Sequence, residues 1–143
     1  LGAAKAVNYK TQNFKDIILE HTGGKGVDVI LDMIGAGYMA DNLAVLADEG
    51  RLVFINTMLG KDAQVDLSVI MTKRLTVTGS KLRSRDIAFK ADIARNVEKH
   101  IWPLLSSGKI KPVIYKVFDA QNAADAHRLM ESSEHIGKII LKF

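Results

Sequence analysis

Six residues carry the clearest chemical pattern in the chain. Gly35-Ala36-Gly37-Tyr38-Met39-Ala40 fits G-x-G-x-x-G/A, in which glycines permit a tight turn and close approach of backbone to a pyrophosphate at a helix N-terminus. The stretch before it, Gly26-Val27-Asp28-Val29-Ile30-Leu31-Asp32-Met33-Ile34, is apolar at its centre and reads as a buried parallel strand ending at a ligand-facing edge. A helical pattern follows, with Tyr38, Met39, Asn42, Leu43 and Leu46 on one side and Gly50 as its end. The acidic residue that would hold ribose hydroxyls after the next strand is missing, because Ile55-Asn56-Thr57 stands there. The motif is therefore either a pyrophosphate turn or an ordinary turn at the carboxyl edge of a sheet.

Other reactive side chains form no catalytic pattern. Asp28 and Asp32 share a strand face but lie near opposite ends, so they do not converge as an acid–base pair. Asp32 sits at the carboxyl end, where open α/β sheets bind ligands. His21, His100, His127 and His135 lack metal-ligand spacing, and with no cysteine there are neither disulfides nor thiolate zinc sites. No G-x-S-x-G or H-E-x-x-H motif and no catalytic nucleophile is visible. Lys81-Leu82-Arg83-Ser84-Arg85 places basic side chains between a strand and a long helix, where they either meet a phosphate or solvate a loop.

The elements that would position these residues alternate. Ala6-Val7-Asn8-Tyr9 reads as a short strand, and Phe14, Ile17, Ile18 and His21 fall on one face of a capped helix. Arg51-Leu52-Val53-Phe54-Ile55-Asn56 is a second apolar strand, Met58 to Asp62 a loop, and Leu67 to Thr72 one or two helical turns. Leu75-Thr76-Val77-Thr78-Gly79 alternates apolar and polar residues as a half-exposed strand does. The longest helix is predicted from about Asp86 to Ser106, with Ile93, Val97, Ile101, Leu104 and Leu105 inward and Pro103 kinking or ending it. A strand over Val113 to Phe118, a helix over Gln121 to Ser132 and a strand over Lys138 to Phe143 complete the chain. Such alternation predicts an α/β fold with a mainly parallel sheet.

With 143 residues, 48% hydrophobic and 25% charged, the chain has the size and composition of one globular domain. The net charge of +4 comes from scattered Lys and Arg without interleaved aromatics, which points away from nucleic acid. No apolar run approaches the roughly 18 residues of a membrane span and no signal peptide is evident, so the expected location is cytoplasmic. Leu1-Gly2-Ala3-Ala4 reads as the end of a helix capped at Gly2, so the sequence is expected to begin partway through a larger protein.

Several blocks, in order, resemble one family: Leu1-Gly2-Ala3, Asn8-Tyr9-Lys10, Gly26-Val27-Asp28-Val29-Ile30-Leu31-Asp32, Gly50-Arg51-Leu52-Val53, Gly79-Ser80-Lys81-Leu82-Arg83-Ser84-Arg85, Ile110-Lys111-Pro112, Ala126-His127 and Ile136-Gly137-Lys138-Ile139. Across the whole chain the sequence is similar to zinc-independent quinone oxidoreductases of the medium-chain dehydrogenase/reductase superfamily. The resemblance implies that the glycine-rich turn proper lies upstream, after the first Rossmann strand. Val27 to Asp32 is then the fourth strand of six, and Gly35-Ala36-Gly37 is the turn after it.

The same resemblance implies a partial Rossmann fold lacking its first two strands, with a C-terminal strand-helix-strand. Residues 1–110 would be the end of an NADP-binding domain, and 111–143 would return to a catalytic domain. The parent would transfer hydride from NADPH to a quinone or enone, and this part alone would be inactive. Tyr9 matches the residue near the adenosine and its 2′-phosphate, and Ile34 and Gly35 match positions by the adenosine half. Ile55, Asn56 and Thr57 match the loop beside nicotinamide and ribose, and Ser80, Lys81 and Leu82 the stretch bordering the nicotinamide. No catalytic or metal-binding residue is implied. Ile55-Asn56 departs from a glycine common in relatives, and Ser133 stands where some relatives carry a basic residue near the cofactor. Residues 6–9 are expected beside Val27 to Asp32, giving the strand order 3-4-5-6, or paired with another chain. A homodimer is expected through Leu75-Thr76-Val77-Thr78-Gly79. The alternative is a stand-alone nucleotide-binding or interaction module using the turn at residues 35–40.

Overall fold

A computed structural model describes residues 2–143, which divide into two compact units, 2–84 and 85–143. In the first unit, helix α1 (Phe14–His21) starts where the Asn13 side chain accepts the Lys15 amide at 2.9 Å. Strand β1 (Val27–Asp32), helix α2 (Met39–Val45), strand β2 (Leu46–Phe54), helix α3 (Leu67–Lys73) and strand β3 (Thr76–Gly79) follow. The three strands form a parallel sheet in the order β1-β2-β3. This is the α/β architecture that the alternating pattern predicts.

Parallel register places Ile30, Leu52 and Val77 side by side on one face, and the Leu52 side chain is fully buried there. Met39 and Leu43 of α2, with Leu46 and Leu75, close the core over that face. Fully burying one such leucine contributes roughly 1.5–3 kcal/mol. Val29 and Leu31 alternate onto the opposite face and stay 63% and 65% exposed.

Two expectations give way, one to a local turn and one to a tertiary contact. Residues 6–9 form no strand; instead the Thr11 and Gln12 amides donate to the Asn8 carbonyl, and the Asn8 side chain accepts the Lys10 amide. The order 3-4-5-6 is therefore not formed within the chain, and the outer edge of β1 has no strand beside it among the described residues. Helix α2 stops at Val45 rather than near Gly50, and Leu46 already belongs to β2. The reason lies well down the chain: the Lys73 ammonium donates to the carbonyls of Leu43, Ala44 and Leu46 at 3.3, 2.8 and 2.8 Å, satisfying the end of the helix. At the start of α3, the Ser68 side chain and amide both donate to Asp66, which holds that carboxyl below its ordinary value.

The second unit contains helices α4 (Ile87–His100) and α5 (Trp102–Ser106), strand β4 (Ile114–Asp119), helix α6 (Ala123–Ser132) and strand β5 (Lys138–Lys142). The break at Ile101 falls where Pro103 requires it, since proline fits only the first turn of a helix. Strands β4 and β5 pair in parallel, joined through α6. The predicted inward face of the long helix is not buried: Ile93, Val97, Ile101 and Leu105 remain 37–40% exposed, and Leu104 is half-buried. Among the described residues, Ala126 is the one buried apolar side chain of this unit, so there is no closed core for that stripe to enter.

Candidate functional site: the carboxyl edge of the parallel sheet

Because β1, β2 and β3 run the same way, the loops that leave them emerge together at one edge. This gathers Ile34 and Gly35, Ile55 to Thr57, and Ser80 to Leu82 from three separate stretches of sequence. The loops are tied backbone to backbone. The Met58 amide donates to Met33 O at 3.1 Å, Leu59 to Ile34 O at 2.8 Å, and Ala36 to Gly60 O at 3.0 Å. The Ser80 amide donates to Phe54 O at 2.8 Å, which holds the start of the third loop.

Asp32 organises the turn between β1 and α2. Its carboxylate is 4% exposed; Oδ1 accepts the amides of Ile34 and Gly35, the second at 3.3 Å, and Oδ2 accepts the Asn42 side-chain amide at 2.7 Å. Asn42, also 4% exposed, projects back from α2 into the same pocket. An internal carboxylate thus occupies the position that an external anion would take on a glycine-rich turn. With Ala36 bonded to Gly60, the amides of residues 34–36 are all engaged within the protein.

Gly35 has φ +87°, and a Cβ there would lie 2.6 Å from Gly60 O and 2.9 Å from Thr57 Cα. The glycine therefore serves close loop-on-loop packing. At Gly37 the nearest atom would be Leu59 Cβ at 3.7 Å, an ordinary contact.

Two clefts adjoin the turn. One, of about 290 Å³, is lined by Gly35, Ala36, Met39, Phe54, Thr57 and Lys61 with Ala63. The other, of about 410 Å³, lies between the loop from Tyr9 to Asn13 and Gly37, Tyr38 and Asp41. Tyr38 packs against Phe14 at a tilt of 43° with ring centroids 4.9 Å apart, and Lys15 pairs with Asp41 at 3.1 Å, so one wall of this cleft is braced. Tyr9 lines it and is 68% exposed.

The predicted residues thus divide into an edge group and Tyr9, which meets the turn from its far side. Ile55, Asn56, Thr57, Ser80, Lys81 and Leu82 are exposed, Ile34 is half-buried and Gly35 is buried. Sequence reasoning missed Lys61 and the role of Asn42; the signal for Asn42 was an amide on the apolar side of a helix.

A parallel α/β sheet with its loops collected at the carboxyl edge defines the Rossmann-like class of nucleotide-binding domains. Within that class the chain belongs to the zinc-binding dehydrogenase family, whose model matches residues 1–141. It is 30% identical over 146 residues to a 2-haloacrylate reductase from Burkholderia sp., covering 99% of this chain and 42% of that protein. It is 28% identical over 145 residues to the quinone oxidoreductase of Rattus norvegicus, covering 98% of this chain and 41% of that one. The crystal structure of an NAD-dependent alcohol dehydrogenase superposes with a TM-score of 0.78 at 28% identity, over 99% of this chain and 38% of that chain. The chain spans about two fifths of the length of these three proteins.

The residues present do not fit the metal of the family's description. The sequence has no cysteine, and among the described residues no three His, Asp or Glu side chains gather as a ligand set. A nicotinamide nucleotide fits better, in part. The rim at residues 55–57 and 80–82 is exposed, whereas the amides of the turn are already bonded, those of Ile34 and Gly35 to Asp32 and that of Ala36 to Gly60. No described helix is long and apolar enough to cross a membrane.

Proposed function

We propose that this chain is the cofactor-facing part of an NADPH-dependent reductase that passes hydride to a quinone or enone acceptor. The observation that carries the reading is the division of labour at the sheet edge: an internally satisfied turn beside an exposed rim. When bound, the dihydronicotinamide supplies the hydride. Ile55, Asn56 and Thr57 would line its ribose and ring, Ser80, Lys81 and Leu82 would border the ring, and Ile34 and Gly35 would back the adenosine half. Tyr9 would stack on or bond the adenosine, with Lys10 in the same cleft favouring the 2′-phosphate of NADPH over NADH. Residues 1–110 would complete the NADP-binding domain and 111–143 would return to a catalytic domain supplied by further chain.

NMR titration tests this directly. NADPH is expected to bind weakly, with Kd on the order of 1 mM, and to shift Tyr9, residues 55–57 and residues 80–82 more than NADH does. Micromolar binding centred on the amides of residues 35–40 would instead establish a stand-alone nucleotide-binding module. The absence of any saturable shift would leave neither cofactor reading standing.

The outer edge of β3, exposed along its whole length, is where we place a homodimer contact. Sedimentation velocity should show a dimer that Val77→Pro, which removes an outward-facing donor of the edge, returns to monomer. A monomer at about 100 µM, where a dimer of Kd on the order of 1 µM would be nearly complete, rules the contact out.

A further inference from the structure

Between α6 and β5 lies a cavity of about 270 Å³ that the cofactor reading leaves unused. His127, His135 and Lys138 stand around it, over an apolar wall of Met130, Ile139 and Leu141. No acidic side chain lines it. On α6, Asp125 is engaged by Arg128, and the exposed Glu131 and Glu134 are not among the lining residues. His135 Nδ1 is shut off from solvent and has no hydrogen-bond partner among the described residues. Tyr115 packs edge-on against the same imidazole, with centroids 6.2 Å apart. A buried ring nitrogen without a partner is costly to the fold.

We propose that this cavity binds a small organic anion with a flat apolar body, such as an aromatic monocarboxylate. The apolar wall takes the ring, while Lys138 and the two imidazoles face the carboxylate. The volume falls just below the usual range of small-molecule sites, about 300–1,000 Å³, which restricts the ligand to about the size of a single substituted ring. The Lys138 charge gives the carboxylate an advantage over a neutral ligand of equal shape.

Benzoate is the probe, added to the whole chain without nucleotide at pH 7 and followed by the ring C–H signals of the histidines. His127 and His135 are expected to shift and saturate with Kd on the order of 1 mM, while His21 and His100 stay still. Benzamide should bind at least about 3-fold more weakly, and so should benzoate to Lys138→Gln, as loss of one exposed charge implies. Met130→Glu, which sets an acid in the wall of the cavity at a half-exposed helix position, should abolish the shifts while the helical circular dichroism is kept. Four results would overturn the proposal. They are equal binding of benzamide, inorganic phosphate matching benzoate, movement of all four histidines together, or no saturation at all.

Discussion

Asp32→Ala is expected to destabilise the first unit by about 3 kcal/mol, because it strips the acceptor from three donors at once, two of them buried and one half-buried. The Gly35 amide and the Asn42 side chain lie in a buried setting, with Asp32 and Asn42 each 4% exposed, while the Ile34 amide is half-buried. Each orphaned donor costs roughly 1–3 kcal/mol, and the Gly35 bond, at 3.3 Å, belongs at the low end. Asp32→Asn keeps one oxygen for the turn but sets an amide against the Asn42 amide, so about half the loss is expected. Hydrogen exchange at the β1 and β2 amides is the suitable measurement, because it reports on this unit irrespective of the other. Protection within 0.5 kcal/mol of the parent chain in Asp32→Ala would mean that the loop-to-loop bonds hold the turn unaided.

The same carboxylate shows where sequence reading stops. A strand closed by Asp and followed by G-x-G-x-x-A looks alike whether the turn cradles a pyrophosphate or its own aspartate. The type and spacing of residues 32–40 do not separate the two cases; the return of Asn42 from α2 does, and it is a contact across ten positions. Elements governed by nearby residues were legible: α1 behind Asn13, the break before Pro103, and β1 with its apolar centre. Elements governed by distant ones were not. The end of α2 depends on Lys73, 27 to 30 positions away. The stripe on α4 has helical spacing, yet spacing says only that a face is apolar and not that a surface exists to receive it. Residues 6–9 break this division: the missed feature is local, because the Asn8 side chain offers the backbone a turn in place of a strand ladder.

A pair of glycine substitutions separates the two meanings of the motif most sharply. In a dinucleotide fingerprint the second glycine lets the backbone approach the pyrophosphate, so Gly37→Ala should abolish nucleotide binding while leaving the fold nearly intact. In the packed turn seen here the burden falls on the first glycine instead. Gly35→Ala would force a side chain into φ +87° and within 2.6 Å of Gly60 O, against backbone that is itself tied to Ala36 and Ile34. Left-handed strain alone costs on the order of 1–3 kcal/mol and overpacking a similar amount, so a loss of about 3–4 kcal/mol is expected. Gly37→Ala meets nothing closer than 3.7 Å and should stay within about 0.5 kcal/mol of the parent chain. Its weak NADPH shifts at residues 55–57 and 80–82 should persist within about 2-fold, the effect expected of a side chain that touches neither group. Hydrogen exchange gives the first comparison and the NMR titration the second. A stable Gly35→Ala, or a Gly37→Ala chain that folds normally but loses every NADPH shift, would return the turn to the role its spelling first proposes.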